Sequence, residues 1–440
     1  MQHREYASAS HSAQRSELSV LAGYLFPLML RNFSSDGYVF TDPSDPTMFS
    51  APGCVIASPS YERNLASVDQ NYVYNWTRDA AITAIEIAAA NLPVGDRPGS
   101  GPLGDYVAFA ALCQANAPNL GRACYTIEGQ PRDWTDQSDG PALQILAILR
   151  GYDQLDGPAQ AIAGEVVQKD VDYLLAAYQE PTYNLWEETR GHSFFARSVQ
   201  LRALVAFQAN TVGLPAPAGI DEAIGWLRQA LEEHWNGEVY LSVLDGENPR
   251  EGYDPNIDIV MASVYGAVPC TEPKLLATAA RLRRQWSDPA SSLAYPVNAA
   301  DAARQLGPLL GRYPGDIYDG DTSDSITVRG HPWPVCTATF AQLHYQLAAA
   351  VGRRHDLLTD PLSADFFAQA GLDRTTAPAV AAHRLRAAGD AMLGAVVHHS
   401  DHLELSEQFD ATTGYQKSVR NLTWSYAAFL SAVRARGPQP

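Results

Sequence analysis

The run Tyr183-Asn184-Leu185-Trp186-Glu187-Glu188, continued by Thr189-Arg190-Gly191-His192-Ser193-Phe194-Phe195, sets two adjacent carboxylates beside a tryptophan, just ahead of a long apolar segment. A loop pinned at a helix N-terminus is a common mount for a catalytic acid. The plainer alternative makes Glu187 and Glu188 solvated charges that suit the helix macrodipole. The rest of the chain favours the first reading, because similar loops recur. Tyr72-Val73-Tyr74-Asn75-Trp76-Thr77-Arg78-Asp79 crowds aromatics before an Arg-Asp pair, and an Ala/Ile-rich helix follows from Asp79 to about Leu92. Trp134-Thr135-Asp136-Gln137-Ser138-Asp139, Gly311-Arg312-Tyr313-Pro314-Gly315-Asp316 and Leu405-Ser406-Glu407-Gln408-Phe409-Asp410 are each expected just before a helix or close to one.

The elements that must position these loops are mainly helical. Segments of helical composition alternate with Pro/Gly-rich connections: Ala13 to Asn32, Leu103 to Ala115, Gly140 to Leu155, Pro158 to Gln179, Ser193 to Val212, Ile220 to Trp235, Ile257 to Ala267, Lys274 to Trp286, Val335 to Arg353, Pro378 to Val397 and Asn421 to Ala435. Strand-like pieces are short, Val239 to Leu244 among them, and no Gly-rich phosphate loop or strand–helix alternation appears. About a dozen helices without a strict repeat suggest helical hairpins closed into a ring.

At 440 residues the chain exceeds an ordinary single core, and a barrel of repeated hairpins escapes that limit. With 31 Lys plus Arg against 49 Asp plus Glu, the formal charge of −18 repels polyphosphates, which argues against nucleic acid and anionic membranes as partners. A neutral ligand suits such a surface, and 21 Tyr with 8 Trp supply flat faces for stacking. Cys54, Cys113, Cys124, Cys270 and Cys336 are an odd set without metal-ligand spacing, so at least one is free in a monomer; a Cys113–Cys124 bridge stays open. His331 and His344 lack ligand spacing, and His398, His399 and His402 read as a solvated helix end. The apolar stretch Ser19 to Leu30 carries a Pro and reads as a core-facing first helix rather than a signal peptide or membrane span.

Taken together, the loops resemble the glucoamylases, glycoside hydrolase family 15, which remove glucose from the non-reducing ends of starch. The pieces that match are Tyr72 to Asp79, Asp139-Gly140-Pro141-Ala142-Leu143, Leu185 to Glu188 with Gly191 and Ser193 to Phe195, Gly311 to Pro314, and Ser406 to Gln408 with Leu422 to Ala428, in the family's order. The resemblance implies a mainly α fold, a six-hairpin (α/α)6 barrel over residues 1–440 with active-site loops at one end; as a departure from the family, no separate starch-binding domain is expected beyond the last helix, Asn421 to Ala435. It implies Glu187 as general acid and Glu407 as general base. Arg78, Asp79, Leu185, Glu188 and Arg312 would hold the hydroxyls of the terminal glucose, and Tyr72, Trp76, Trp186 and Trp424 would line the pocket. Forked Arg donors and paired Asp acceptors suit vicinal hydroxyls, and a sugar face stacks on an aromatic ring. Tyr74 and Phe194 are expected in the core instead, and Asp79 can cap its helix as well as bind.

The implied chemistry is inverting hydrolysis of α-1,4 bonds in malto-oligosaccharides, releasing β-D-glucose, with no metal or organic cofactor and with a monomer expected. Inverting carboxylates lie roughly 6.5–9.5 Å apart, leaving room for water. Cleavage of α-1,6 glucans or trehalose on the same scaffold, and a silent glucan-binding barrel, are the alternatives. Two departures bear on the site. The Trp134 loop is one residue shorter than the fungal pattern, which leaves the reach of Trp134 to the acid open. Asn184 stands where the family commonly has Asp; with residue 184 close to the acid, Asn184→Asp is expected to move the alkaline limb of activity upward. The sequons Asn75-Trp76-Thr77 and Asn421-Leu422-Thr423 fall inside site motifs, which disfavours a glycosylating route and leaves bacterial cytoplasm or export open.

Overall fold

The computed structural model describes residues 17–59, 71–92, 101–209, 212–248, 250–321 and 330–437. Its helices are α1 (17–30), α2 (Thr77–Ala90), α3 (Pro102–Asn116), α4 (Asp139–Gly151), α5 (Gly157–Ala177), α6 (Phe194–Gln208), α7 (Ile220–Glu232), α8 (Asp258–Val264), α9 (Pro273–Ser287), α10 (Pro296–Ala302), α11 (Pro334–Ala350), α12 (Ala364–Ala368), α13 (Pro378–His399) and α14 (Thr423–Arg436). The alternation of two helix types explains how they pack. Segments such as α2 and α11 bury nearly every position, from Ala80 to Ala88 and from Pro334 to Leu347, as a helix that is apolar all round must. Others are two-faced: α9 buries Leu275, Leu276, Ala279, Leu282 and Trp286 at helical spacing and exposes Arg281 and Arg284.

The buried type forms the inner ring. Helices α2, α4, α6, α8, α11 and α14 each pack against the next, and α14 returns to α2 to close the circle. Outside it, α3 and α5 pair and lie on α2 and α4, α7 lies on α6, α9 on α8, and α13 on α11. Helix α1 presents Leu18, Leu25 and Met29 to the same core. The fold is an (α/α)6 barrel. Proline stands in the first turn of α3, α5, α9, α10, α11 and α13, where its missing N–H costs nothing.

Several expectations shift by a turn or fail. Of the expected strand, Val243–Leu244 forms a strand and Tyr240 makes an isolated bridge to Trp235, and α10 and α12 were too short to show a period. Asp79 sits inside the first turn of α2, whose N-cap is Trp76, so it is not the cap residue. Arg312 and Glu407 are remote in sequence from the helices that follow them, α11 and α14. Arg312 instead reaches a helix start through space, its carbonyl accepting from Ile257 N at 2.9 Å just ahead of α8. All five cysteines are free, so the Cys113–Cys124 bridge does not form.

Candidate active site

The loops that enter the inner helices gather at one end of the barrel, and small antiparallel pairings fix them. Strands β1 (Thr41–Asp42) and β2 (Asp45–Phe49) form a separate hairpin, and Phe40 and Met48 beside and within it pack on a small cluster that includes Cys54, Val73 and Tyr125. β3 (Asn75–Trp76) pairs with β4 (Cys124–Tyr125) and aims Trp76 and the start of α2. β5 (Thr182–Tyr183) and β6 (Arg190–Ser193) form a hairpin extended by β7 (Val243–Leu244), and its tip carries Leu185 to Glu188. β8 (Gln408–Phe409) pairs with β9 (Gln416–Lys417), with Glu407 immediately before it. One pocket results, lined by every candidate residue: Tyr72, Trp76, Arg78, Asp79, Trp134, Leu185, Trp186, Glu187, Glu188, Arg312, Glu407 and Trp424. Its cavity volume is about 570 Å³, open at the mouth.

Glu187 is held in a left-handed backbone conformation, φ 62°, which non-glycine residues adopt at a cost and which is seen at functional positions. Its carboxylate accepts from Arg78 Nη2 at 3.3 Å and from Trp134 Nε1 at 2.6 Å. Trp134 therefore reaches Glu187 despite its shorter loop. Backbone pairing of that loop explains the reach: Arg132 N donates to Cys124 O at 2.9 Å and Ala123 N to Thr135 O at 3.2 Å, which pins both flanks of the tip. Arg132 stacks over the Trp134 ring at 4.4 Å, and Trp76 meets it edge-on.

Asn184 does something other than face the acid. Buried in the turn, its Oδ1 accepts from the amides of Glu188 at 3.0 Å and Thr189 at 3.2 Å, and its Nδ2 donates to Tyr253 Oη. Its carbonyl takes Gln137 Nε2 at 2.6 Å and Glu187 N at 3.0 Å. The side chain shapes the tip that displays both glutamates.

Arg78 sits among three carboxylates: Glu187, Asp139 at 3.5 Å and Asp79 at 3.5 Å. Burial is the main reason that Asp79 is pushed up to about 7; Arg78 opposes this, while Glu187 and Asp139 add like-charge repulsion. Asp139 is raised too, again chiefly by burial. Arg78 Nε and Asp79 Oδ2 are buried and face each other at 3.5 Å, an ion pair without a hydrogen bond. Opposite, Glu188 accepts from Arg312 Nη2 at 3.0 Å and Tyr313 Oη at 2.7 Å, and Asp316 takes Arg312 Nε at 2.8 Å. The Arg312 guanidinium lies over the Trp186 and Trp333 rings, at 5.2 Å from each.

Glu407 lives in different surroundings. It is buried, and burial raises its pKa; hydroxyls of Ser418, Tyr318 and Tyr72 counter that by donating to the charged form. Tyr72 Oη reaches Oε1 at 3.1 Å, Tyr318 Oη reaches Oε2 at 3.1 Å, and Ser418 Oγ also reaches Oε2. Gly320 makes this close packing possible, since a Cβ there would lie 2.1 Å from Ser418 Oγ and 2.9 Å from Glu407 Oε2. Tyr74 stays outside the pocket under Arg132, and Phe194 packs in the core on Tyr240. Sequence reasoning missed Tyr318, Ser418 and Trp333. Trp333 had a signal: like Trp76, it is the aromatic residue that caps an inner helix. Ser418 had none, because only the β8–β9 pairing brings it back to Glu407.

The comparisons with known proteins agree with this geometry. A family model, glycosyl hydrolases family 15, matches residues 44–99 and 124–434. A probable glucoamylase of Schizosaccharomyces pombe is 29% identical over 409 residues, covering 88% of this chain and 85% of that protein. A glucoamylase of Saccharomycopsis fibuligera is 26% identical over 473 residues, covering 88% and 84%. Among solved structures, a glucoamylase from Hypocrea jecorina superposes with a TM-score of 0.78 at 22% identity, covering 96% of this chain and 72% of that one. The glucoamylase of Hormoconis resinae gives 0.77 at 24%, covering 96% and 73%. With the family model spanning most of the barrel and both carboxylate-bearing loops, this chain belongs to glycosyl hydrolase family 15 and is a glycosidase.

Proposed function

We propose that the protein removes terminal α-1,4-linked glucose from the non-reducing ends of malto-oligosaccharides and starch, with inversion to β-D-glucose. The observation that carries this is a single pocket with two carboxylates in contrasting surroundings, Glu187 beside Arg78 and Trp134, Glu407 beneath three hydroxyls. Between them lie the polar groups of Arg78, Asp79, Glu188 and Arg312, suited to the hydroxyls of one glucose, and the rings of Trp76, Trp186 and Trp424. The named activity of the relatives supports the same substrate class.

In this reading Glu187 gives its proton to the glycosidic oxygen as the C1–O bond breaks. Glu407 takes a proton from a water that attacks C1 from the opposite face, so the hydroxyl enters in the β position. Burial above all, with like-charge repulsion from Glu187 and Asp139 added, raises Asp79 to about 7 beside Arg78. The three hydroxyls around Glu407 donate to its charged form and so oppose the burial that raises its pKa. Proton NMR of glucose released from maltose, isomaltose, trehalose and soluble starch tests the proposal. The β anomer appearing first from maltose and starch is expected; α-glucose first, or release only from isomaltose or trehalose, overturns it.

Ser418→Ala removes one donor to ionised Glu407. A carboxylate that loses such a donor holds its proton to higher pH, so the acid limb of kcat/KM moves upward while the alkaline limb stays. A pH profile at fixed ionic strength reads this directly. Arg312→Lys keeps the charge but loses the fork that joins Glu188 to Asp316, so KM rises and kcat falls alike for maltose and longer chains. Unchanged constants would remove Arg312 from substrate binding. In Asn184→Asp, Tyr253 and the two turn amides already offer donors to the new carboxylate, so the alkaline limb shifts by less than about half a pH unit. A larger upward shift in the same profile would place residue 184 beside the acid.

A further inference from the structure

Away from the pocket, Asp301 of α10 and His398 and His399 at the end of α13 each offer a ligand atom, all within 4.8 Å of one another. The sequence suggested a solvated helix end, and only part of the cluster answers to that. His402 is 95% exposed and His398 is exposed, whereas His399 is sunk against Phe409, ring centroids 5.8 Å apart, and donates from Nε2 to Asp301 Oδ2 at 2.8 Å. Asp301 is fully buried. Its Oδ1 has no hydrogen-bond partner, and the half-exposed Arg304 guanidinium approaches it only to 3.7 Å. A buried carboxylate oxygen without a donor is costly, and a cation close to it relieves that cost.

We propose that Asp301, His398 and His399 form a binding site for a divalent transition-metal ion, zinc first among them, separate from the catalytic pocket. Two imidazoles and one carboxylate are a zinc-type donor set, while magnesium and calcium prefer all-oxygen shells. Tetrahedral ligand atoms at about 2.0–2.1 Å from zinc lie roughly 3.3 Å from each other, so the widest pair must close by about 1.5 Å. His398 can make that movement, being exposed and edge-on to His399 with ring centroids 4.8 Å apart. Each imidazole binds as the neutral form with its remaining proton on the other ring nitrogen, Arg304 gives up its place at Oδ1, and water takes the fourth position.

The position gives the ion a structural role. It would join α10 to the end of α13, the helix that runs into the loop carrying Glu407. Val297 N of α10 already donates to Ala411 O at 3.1 Å in the hairpin beyond Glu407, and the His399 ring supports Phe409 of that hairpin. Binding would brace the hairpin from behind and touch no reacting atom.

The test uses the full chain, stripped with EDTA, dialysed, and titrated calorimetrically with zinc chloride, with cobalt chloride for its visible bands and magnesium chloride as control. One zinc per chain is expected, with a rise of several degrees in Tm that magnesium does not give. His398→Ala, on an exposed side chain that folding does not need, should weaken zinc binding by about 10–100-fold or more and leave the turnover of maltose in EDTA unchanged. Asp301→Asn should weaken it likewise. Absence of zinc binding, or equal binding by wild type and His398→Ala, as capture by the pocket carboxylates would give, overturns the proposal.

Discussion

Glu187→Gln is expected to lower kcat on maltose by about 10²–10⁴-fold while KM stays within a few-fold of wild type. Gln keeps the size of the side chain and one acceptor oxygen, so one of Arg78 and Trp134, which donate to different carboxylate oxygens, loses its partner, and Gln has no acidic proton to give to the departing oxygen. The loss should depend on the leaving group. With an aryl α-glucoside whose phenolate leaves without protonation, most of the rate should return, because the missing step is no longer needed. Steady-state kinetics on both substrates decide: an equal loss on maltose and the aryl glucoside would take Glu187 out of the role of acid and make it a binding residue.

Glu407→Gln should reduce kcat by a similar factor, but without relief from a better leaving group, since activation of water is needed whatever departs. The amide cannot take the proton that attack at C1 sets free. Tyr72, Tyr318 and Ser418 lose a charged acceptor, so a modest fall in Tm accompanies the change, and maltose affinity should persist in calorimetry. In Glu407→Ala, where space opens on the face of the missing carboxylate, azide should restore turnover and give β-glucosyl azide. An α-azide, or no rescue together with wild-type turnover of Glu407→Gln, would contradict the assignment of the base. The two glutamates thus have opposite signatures, one set by the leaving group and the other by the nucleophile.

How much of this was legible beforehand depended on the distance over which each feature is determined. The barrel was readable because inner helices such as α2 and α11 are apolar throughout and outer ones such as α9 are two-faced, a difference written in consecutive residues. The candidate residues, wherever they lay in the chain, converge on one pocket, because loop motifs keep their residue types even when the helices between them drift. What failed was orientation. Asn184 stands three residues before Glu187, yet a hairpin turn spends its side chain on the amides of Glu188 and Thr189. The reach of Trp134 depended on a ladder with residues 121–125 that loop length alone does not reveal. Ser418 and Gly320, which shape the surroundings of Glu407, are fixed only once the β8–β9 hairpin and the loop after Arg312 meet.

The closed inner ring has a consequence for traffic. Below the pocket the ring is filled by one continuous core, from Ala84 and Ile145 through Val199 and Met261 to Phe340 and Ala428. Among the described residues the pocket is therefore closed at its base, and arriving chains and departing sugar share its mouth. A freed glucose sits at the dead end with the shortened chain in front of it, so the chain must withdraw before the sugar can escape. Sliding forward along one glucan is thereby ruled out, and every cut begins with a fresh encounter. On long polymers the number of free chain ends sets the pace, and accumulating glucose slows the enzyme by occupying the same dead end.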